Sequence, residues 1–201
     1  MLFNSFEFLV FLPITLFLFL ILKRLANKEL SLAFLVVASL FFYGWWNPYY
    51  LFLLVPSITL NYLAGKRLSR QNQKHKKLFL IGAISLNLAS IAYFKYSNFF
   101  LTNINNITGA HFSVGEILLP LAISFFTFQQ IAYLVDSYKG ITKEYNFTHY
   151  TLFVSFFPQL IAGPIVHHKD MLPQFNRTKA YQLNSNDVAI GLTIFAIGFF
   201  K

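Results

Sequence analysis

A chain of 201 residues that is 56% hydrophobic, 19% aromatic and only 11% charged has too little polar surface for an ordinary water-soluble domain. Its net charge of +9 would suggest nucleic acid in a soluble protein, but in so apolar a chain it follows the rule that Lys and Arg collect in cytoplasmic loops. A membrane surface is therefore the implied partner rather than nucleic acid, and the absence of Cys removes disulfides, thiolate catalysis and cysteine metal sites.

The charged residues leave six apolar runs clear, at 8–22, 30–46, 48–65, 78–94, 117–135 and 150–166, and a seventh begins at Val188 and reaches Phe200. Each of the six is roughly what a helix needs to cross a hydrocarbon core of about 30 Å. Barrel strands are shorter and alternate in polarity, so the predicted class is all-α: a multi-span integral membrane bundle with kinked or re-entrant helices. Residues 1–201 form one membrane domain, and the barely sufficient seventh run suggests the amino-terminal part of a larger one. "MLFNSFE" carries no basic residue and Lys23-Arg24 follow the first run, the reverse of a secretory signal, so a retained first helix is expected.

"FFYGWWNPYY", at 41–50, places seven aromatics around Gly44, Asn47 and Pro48. Trp and Tyr favour the headgroup layer, which predicts an interfacial helical hairpin turn; a substrate-facing aromatic platform is the other reading. The basic run "KRLSRQNQKHKK", at 66–77, reads as a topology anchor. With alternating spans, the loops 23–29, 66–77 and 136–149 hold three, six and two Lys or Arg, 11 in all. Those at 47, 95–116 and 167–187 hold none, one and three, four in all. The amino terminus is then outside and the basic run inside. Lys169, Arg177 and Lys179 are the misfits: their loop is an exception, or one of the two preceding apolar segments does not cross fully. "TNINNITGAHFSVG", at 102–115, is the longest polar stretch and is expected to be a loop.

The fifth run, "ILLPLAISFFTFQQIAYLVDSY" at 117–138, is more polar than lipid alone explains. At about 100° per residue Pro120, Ser124, Thr127 and Gln130 share one face, and Gln129 and Asp136 lie on roughly the opposite one. Such residues line a pathway or hydrogen-bond between helices. Asp136, at the edge of the run, is a solvated helix end or the buried partner of a cation.

The sixth run enters "FFPQLIAGPIVHHKDMLPQF", at 156–175. Pro158 lacks a backbone donor and Gly163 precedes Pro164, so a kinked or re-entrant segment is predicted, with Gln159, Gly163 and Pro164 part of a site. Irregular backbone at membrane depth survives only where protein or a cavity surrounds it. His167 and His168 are weak candidates: adjacent helical residues diverge by about 100°, and neither belongs to an H-E-x-x-H pattern. No metal site is expected. His75, His111 and His149 fall in loops and receive no role.

These residues together resemble the membrane-bound O-acyltransferase family, in its bacterial branch that acylates extracytoplasmic polymers, as in alginate O-acetylation and D-alanylation of teichoic acid. The resemblance rests on "FNSFEFLVFLP", "SLFFYGWWNPYYLFLL", "LPLAISFFTFQQIAYLVDSYKG" and "FVSFFPQLIAGPIVHHKDMLPQF" and runs through nearly the whole chain. The aromatic turn points to the alginate-acetylating type. The resemblance implies a multi-pass enzyme of the bacterial cytoplasmic membrane with about eleven spans, its amino terminus extracytoplasmic, and a thin core pierced by a tunnel. An acyl thioester, acyl-CoA or acyl carrier protein, supplies the group from the cytoplasmic side as substrate, with no bound cofactor. A polysaccharide or cell-wall polymer accepts it, and a separate extracytoplasmic acetyltransferase is a family-level partner. The family's essential histidine lies beyond residue 201, so the resemblance implies no catalytic residue in this chain. Ser124, Thr127, Gln129, Gln130, Asp136, Gln159, Gly163 and Pro164 would line or brace the tunnel.

Two other classes compete. Broken helices and intramembrane polar residues also mark a polytopic transporter or flippase, although no inverted repeat is evident here; a non-catalytic scaffold of a polymer secretion system is the second. A downstream histidine in a Trp-rich segment favours the acyltransferase, and a second half repeating the first favours transport.

Overall fold

In an apolar medium backbone N–H and C=O groups have no water to bond, so segments this apolar bond within themselves as helices. The computed structural model describes residues 5–25, 27–70, 75–109, 115, 117–142, 146–160, 163, 171, 174 and 184–199, and every regular element among them is helical. In chain order they are α1 (Phe6–Leu25), α2 (Lys28–Gly44), a 3-10 turn (Pro48–Tyr50), α3 (Leu51–Leu68) and α4 (Lys76–Ile91). A π turn (Ala92–Tyr96) joins α4 to α5 (Ser97–Thr108), followed by α6 (Ile123–Lys139), α7 (Phe147–Ser155), α8 (Phe157–Leu160) and α9 (Ser185–Phe199).

Local chemistry sets several of these boundaries. Asn27 caps α2 by accepting the Leu30 N–H at 2.9 Å, Asn47 caps the 3-10 turn through the Tyr49 N–H at 3.0 Å, and Asn146 caps α7 through the Thr148 N–H at 2.9 Å. Pro48 opens the 3-10 turn, where its missing donor costs nothing. The aromatic stretch is thus the hairpin turn between α2 and α3, with Trp45, Trp46 and Tyr49 exposed and Phe42, Tyr43 and Tyr50 buried.

α2 lies along α7 and under α1, while α6 is held among α3, α4 and α7. The main core joins Tyr43, Leu54, Ile58 and Tyr62 to Phe126 and Tyr133 of α6 and to Tyr150 and Phe153 of α7. The Tyr133 and Tyr150 ring centroids are 4.3 Å apart, and Tyr62 stands 5.7 Å from Tyr150. A second, all-phenylalanine cluster brings Phe8 of α1 onto Phe42 and Phe157, with Phe195 of α9 against it at 6.3 Å from Phe8.

Polar side chains cross these apolar contacts at a few points. Asn61 of α3 and Asn87 of α4 exchange amide hydrogen bonds, at 3.1 and 2.7 Å, and each also donates to the carbonyl four residues back. The Tyr43 hydroxyl donates to the Leu121 carbonyl at 2.9 Å.

The outer faces are apolar: Phe17 of α1 and Ile194 of α9 are each 65% exposed, and no residue of α9 is buried. Water would not tolerate so continuous a surface, and lipid does. α1 and the unbroken run Lys76–Thr108 are the two helices among the described residues that are long and apolar enough to cross a membrane unaided. The 17 residues of α2 and of α6 rise about 26 Å each and the 9 of α7 only about 14 Å, so length and composition do not by themselves reach six or seven spans.

Three expectations change. The stretch 102–115 is helical as far as Thr108, because Thr102, Asn103 and Thr108 return their side chains to carbonyls four residues back, at 2.8, 2.7 and 2.7 Å, and so do not compete with the helix. The fifth run starts its helix at Ile123 rather than at 117: Ala122 adopts a left-handed conformation, φ 57°, and Pro120 stands before the helix instead of on its polar face. His149 is not in a loop but in the first turn of α7, buried, with Nε2 3.6 Å from Glu29 Oε1.

Gly65 lets α3 and α6 approach. A Cβ there would meet the Tyr133 ring, 2.8 Å from Cζ and 2.9 Å from the hydroxyl, whereas one at Gly82 of α4 meets nothing within 4 Å. Gly65→Ala is therefore expected to cost about 1–3 kcal/mol by overpacking. Gly82→Ala should leave stability unchanged or slightly raised, through helix propensity. Thermal unfolding of the two purified variants in detergent checks this, and equal midpoints would refute the close approach.

Candidate functional site

The polar residues singled out by sequence lie mainly on α6. Its start is fixed by the left-handed turn at Ala122 and by the Tyr43 bond to Leu121. Its end is a glycine stop: Gly140, φ 73°, donates to the Ser137 carbonyl at 3.2 Å and Ile141 donates to the Asp136 carbonyl at 2.9 Å.

Both faces of α6 read as polar in the sequence are indeed covered by protein. Thr127, Gln129 and Gln130 are each at most 2% exposed, Ser124 is half-buried, and Phe128 between them points outward at 48%. Gln130 meets α3: its Nε2 donates to the Ser57 hydroxyl at 3.1 Å, and that hydroxyl lies 3.3 Å from Gln130 Oε1. Gln129 is different, since both its amide oxygen and its amide nitrogen are buried with no hydrogen-bond partner among the described residues. Asp136 sits half-buried in the last turn of α6, at the helix end rather than in the middle of the polar set.

The break expected in the sixth run lies at Phe156, between α7 and α8, where ψ turns to 109°. Pro158 then falls in the first turn of α8, the one place where its missing N–H is harmless. The freed Phe157 N–H is answered across the bundle by the Ser39 hydroxyl of α2 at 3.3 Å. Gln159 is half-buried, and its carbonyl accepts the Gly163 N–H at 2.9 Å. A Cβ at Gly163 would lie 2.9 Å from that same carbonyl oxygen, so the turn admits only glycine without adjustment. Leu160 of α8 belongs to the same buried core as Ile123 and Phe126, and α8 itself packs on α2 and α7. Pro164, His167 and His168 lie outside the described residues. Among the described residues no three His, Asp or Glu side chains are grouped to hold a metal.

Sequence reasoning passed over Ser57, Asn61 and Asn87. The signal was present: each is a polar residue inside a run that carries no charge, and such residues face other helices rather than lipid.

The arrangement is an apolar helical shell around a buried row of hydroxyls and amides, and sequence comparison places it in context. No family model and no solved structure matches the chain. Its whole length aligns with the peptidoglycan O-acetyltransferase of Helicobacter pylori, 44% identical over 229 residues and covering 44% of that protein. It aligns equally fully with a probable alginate O-acetylase of Pseudomonas aeruginosa, 36% identical over 210 residues and covering 39% of it. A teichoic acid D-alanyltransferase of Lacticaseibacillus rhamnosus is 24% identical over 124 residues, 62% of this chain and 28% of that protein. The chain thus spans less than half the length of the curated relatives it matches. Matched from end to end by proteins of this kind, it belongs to the membrane-bound O-acyltransferase family.

Proposed function

We propose that the protein of which this chain is part transfers an acetyl group across the bacterial cytoplasmic membrane onto hydroxyls of an extracytoplasmic polymer. The observation that carries this reading is the end-to-end match to proteins named as O-acetyltransferases of peptidoglycan and alginate. Acetyl is favoured over D-alanyl because the teichoic acid enzyme aligns with only 62% of the chain and at lower identity. Peptidoglycan is the first acceptor to test, on the higher identity of that relative. The match favours an enzyme over a transporter, a flippase or a silent scaffold.

The donor is an acyl thioester, acyl-CoA or acyl carrier protein, approaching from the cytoplasm. The sugar hydroxyl gives its proton to the histidine that the family resemblance implies, its oxygen bonds the acyl carbon as the carbon–sulfur bond breaks, and the thiolate takes up that proton and leaves as the thiol. The present residues shape the passage. Gln130 braces α6 on Ser57, on the face it shares with Thr127 and Ser124, while Gln129, buried with no hydrogen-bond partner among the described residues, braces the tunnel wall from the opposite face, and Asp136 marks the cytoplasmic end of the helix. Gln159 and Gly163, at the bend after α8, brace a second part of the same passage. An extracytoplasmic acetyltransferase acts on the same polymer as partner.

For topology we place the amino terminus outside and the run 66–77 inside, and we take α7 and α8 as a segment that enters the bilayer and returns. The short α7 and the break at Phe156 support this. It also moves Lys169, Arg177 and Lys179 to the cytoplasmic side, leaving Lys95 as the one external Lys or Arg of the loops counted above.

Three measurements test the reading. Deleting the gene should lower base-labile acetate in peptidoglycan relative to wild type, with secreted polysaccharide assayed in parallel; equal acetate in both polymers of the two strains, with the gene expressed, refutes it. Ser69→Cys and Asn176→Cys in this cysteine-free chain should both resist an impermeant thiol reagent in intact cells. Ready labelling at 176 restores the full crossing of the sixth run, and labelling at 69 inverts the topology. Gln130→Leu leaves Ser57 without its amide and should cost about 1 kcal/mol of stability. Gln129→Leu should leave the unfolding midpoint unchanged or higher while acetate transfer by the full-length enzyme falls, and unimpaired transfer would remove Gln129 from the tunnel wall.

A further inference from the structure

α3 and α4 do not close on each other along their outer sides. Between them runs a laterally open groove of about 800 Å³, whose walls include Leu60, Leu78 and Leu86 and whose lining contains no carboxylate. Its polar floor is already satisfied, because Asn61 and Asn87 bond each other and their own helices. The occupant therefore need not be polar along its length.

One end is chemically distinct. Arg67, at the end of α3, and His75, just before α4, both line the groove and both are exposed. The Arg67 guanidinium lies over the Phe79 ring, 5.0 Å from its centroid, and neither residue has a carboxylate partner among the described residues. His75 is held in a left-handed conformation, φ 65°, that turns the chain into α4 at this mouth. Lys66, Lys76 and Lys77 neighbour the two in sequence, so this is the basic end of the helix pair.

From His75 to Ser90 along α4 the groove extends about 22 Å, more than one leaflet of a hydrocarbon core of about 30 Å. A cationic mouth at one interface, an apolar trough of leaflet length and an opening to the side describe a receptor for an amphiphile that slides in from the bilayer. We infer that the α3–α4 groove binds an anionic phospholipid, one acyl chain lying in the trough and the headgroup phosphate at Arg67 and His75. Basic side chains at the membrane surface attract anionic lipid in general, but the trough adds a fixed place for a chain. The inference needs a bilayer around these helices and does not depend on the acetyl transfer proposed above.

The test uses the full-length protein in vesicles doped with phosphatidylglycerol that carries a photoactivatable group on one acyl chain, and the adducts are mapped by peptide mass spectrometry. Adducts should concentrate on α3 and α4 and be competed several-fold better by unlabelled phosphatidylglycerol than by phosphatidylcholine. Two variants separate head from tail. Arg67→Gln with His75→Gln should abolish the headgroup preference, and Gly82→Leu, which projects into open space in the groove, should reduce α3–α4 adducts several-fold without loss of thermal stability. Adducts spread over all helices, equal competition by the two lipids, or a yield on α3 and α4 unchanged in both variants would each overturn the inference. So would an absence of adducts there, which would mean that polypeptide fills the groove.

Discussion

Helices in lipid gain little by meeting each other through apolar side chains, because a lipid tail offers the same contact. What selects one helix face for another is the obligation to satisfy every polar group that lipid cannot. Among the described residues, crossings that meet that obligation include Asn61 with Asn87, Ser57 with Gln130, Tyr43 with the Leu121 carbonyl, and the Phe157 N–H with Ser39. Each joins two segments distant in the chain, and together they fix α3 on α4, α3 on α6, the start of α6 on α2 and the start of α8 on α2. Interhelical hydrogen bonds of this kind contribute about 0.6–2 kcal/mol each, so their value lies as much in register as in strength.

α2 is the post to which the irregular parts are tied. At its first turn Glu29 accepts a hydrogen bond from Asn146 Nδ2 at 3.3 Å and stands 3.6 Å from His149, binding the starts of α2 and α7 at one level. A carboxylate is well placed there, beside the amino-terminal ends of two helices. Farther along, Ser39 receives the backbone donor that the Phe156 break releases. A break in a helix at membrane depth leaves a donor that lipid would charge several kcal/mol to expose, so the hydroxyl on the neighbouring helix is what makes the bend tolerable.

The sequence carried the helical class, the hairpin at Asn47-Pro48 and the break near Pro158, because each follows from a local rule: apolar run length, capping chemistry, or a missing proline donor. It carried the burial of Thr127, Gln129 and Gln130 as well, since a helix polar on two faces has no side to give to lipid. It did not carry the start of α6, which depends on the left-handed Ala122 and on a tyrosine 78 residues away in sequence. Nor did it carry the helix through Thr108. Thr and Asn there look like loop residues until their side chains turn back onto the helix, a choice that composition does not reveal. The pairing of Asn61 with Asn87 was half legible: that each needs a partner follows from its run, but which partner follows only from the packing.

Gln129 and Gln130 show why one polar row serves two ends. Adjacent on α6, they point about 100° apart, so one can be spent on the bundle while the other is not. Gln130 is spent, and the hydroxyl that takes it, Ser57, also lines the groove on the outer side of α3. α3 is therefore a wall one helix thick, with the open groove on one side and the polar face of α6 on the other. Gly65 keeps that wall close to Tyr133, and Asn61 keeps α4 on its outer side. A shift of α3 would strain both contacts and the Ser57 bond at once, so a single helix ties the wall of the groove to the position of Gln130.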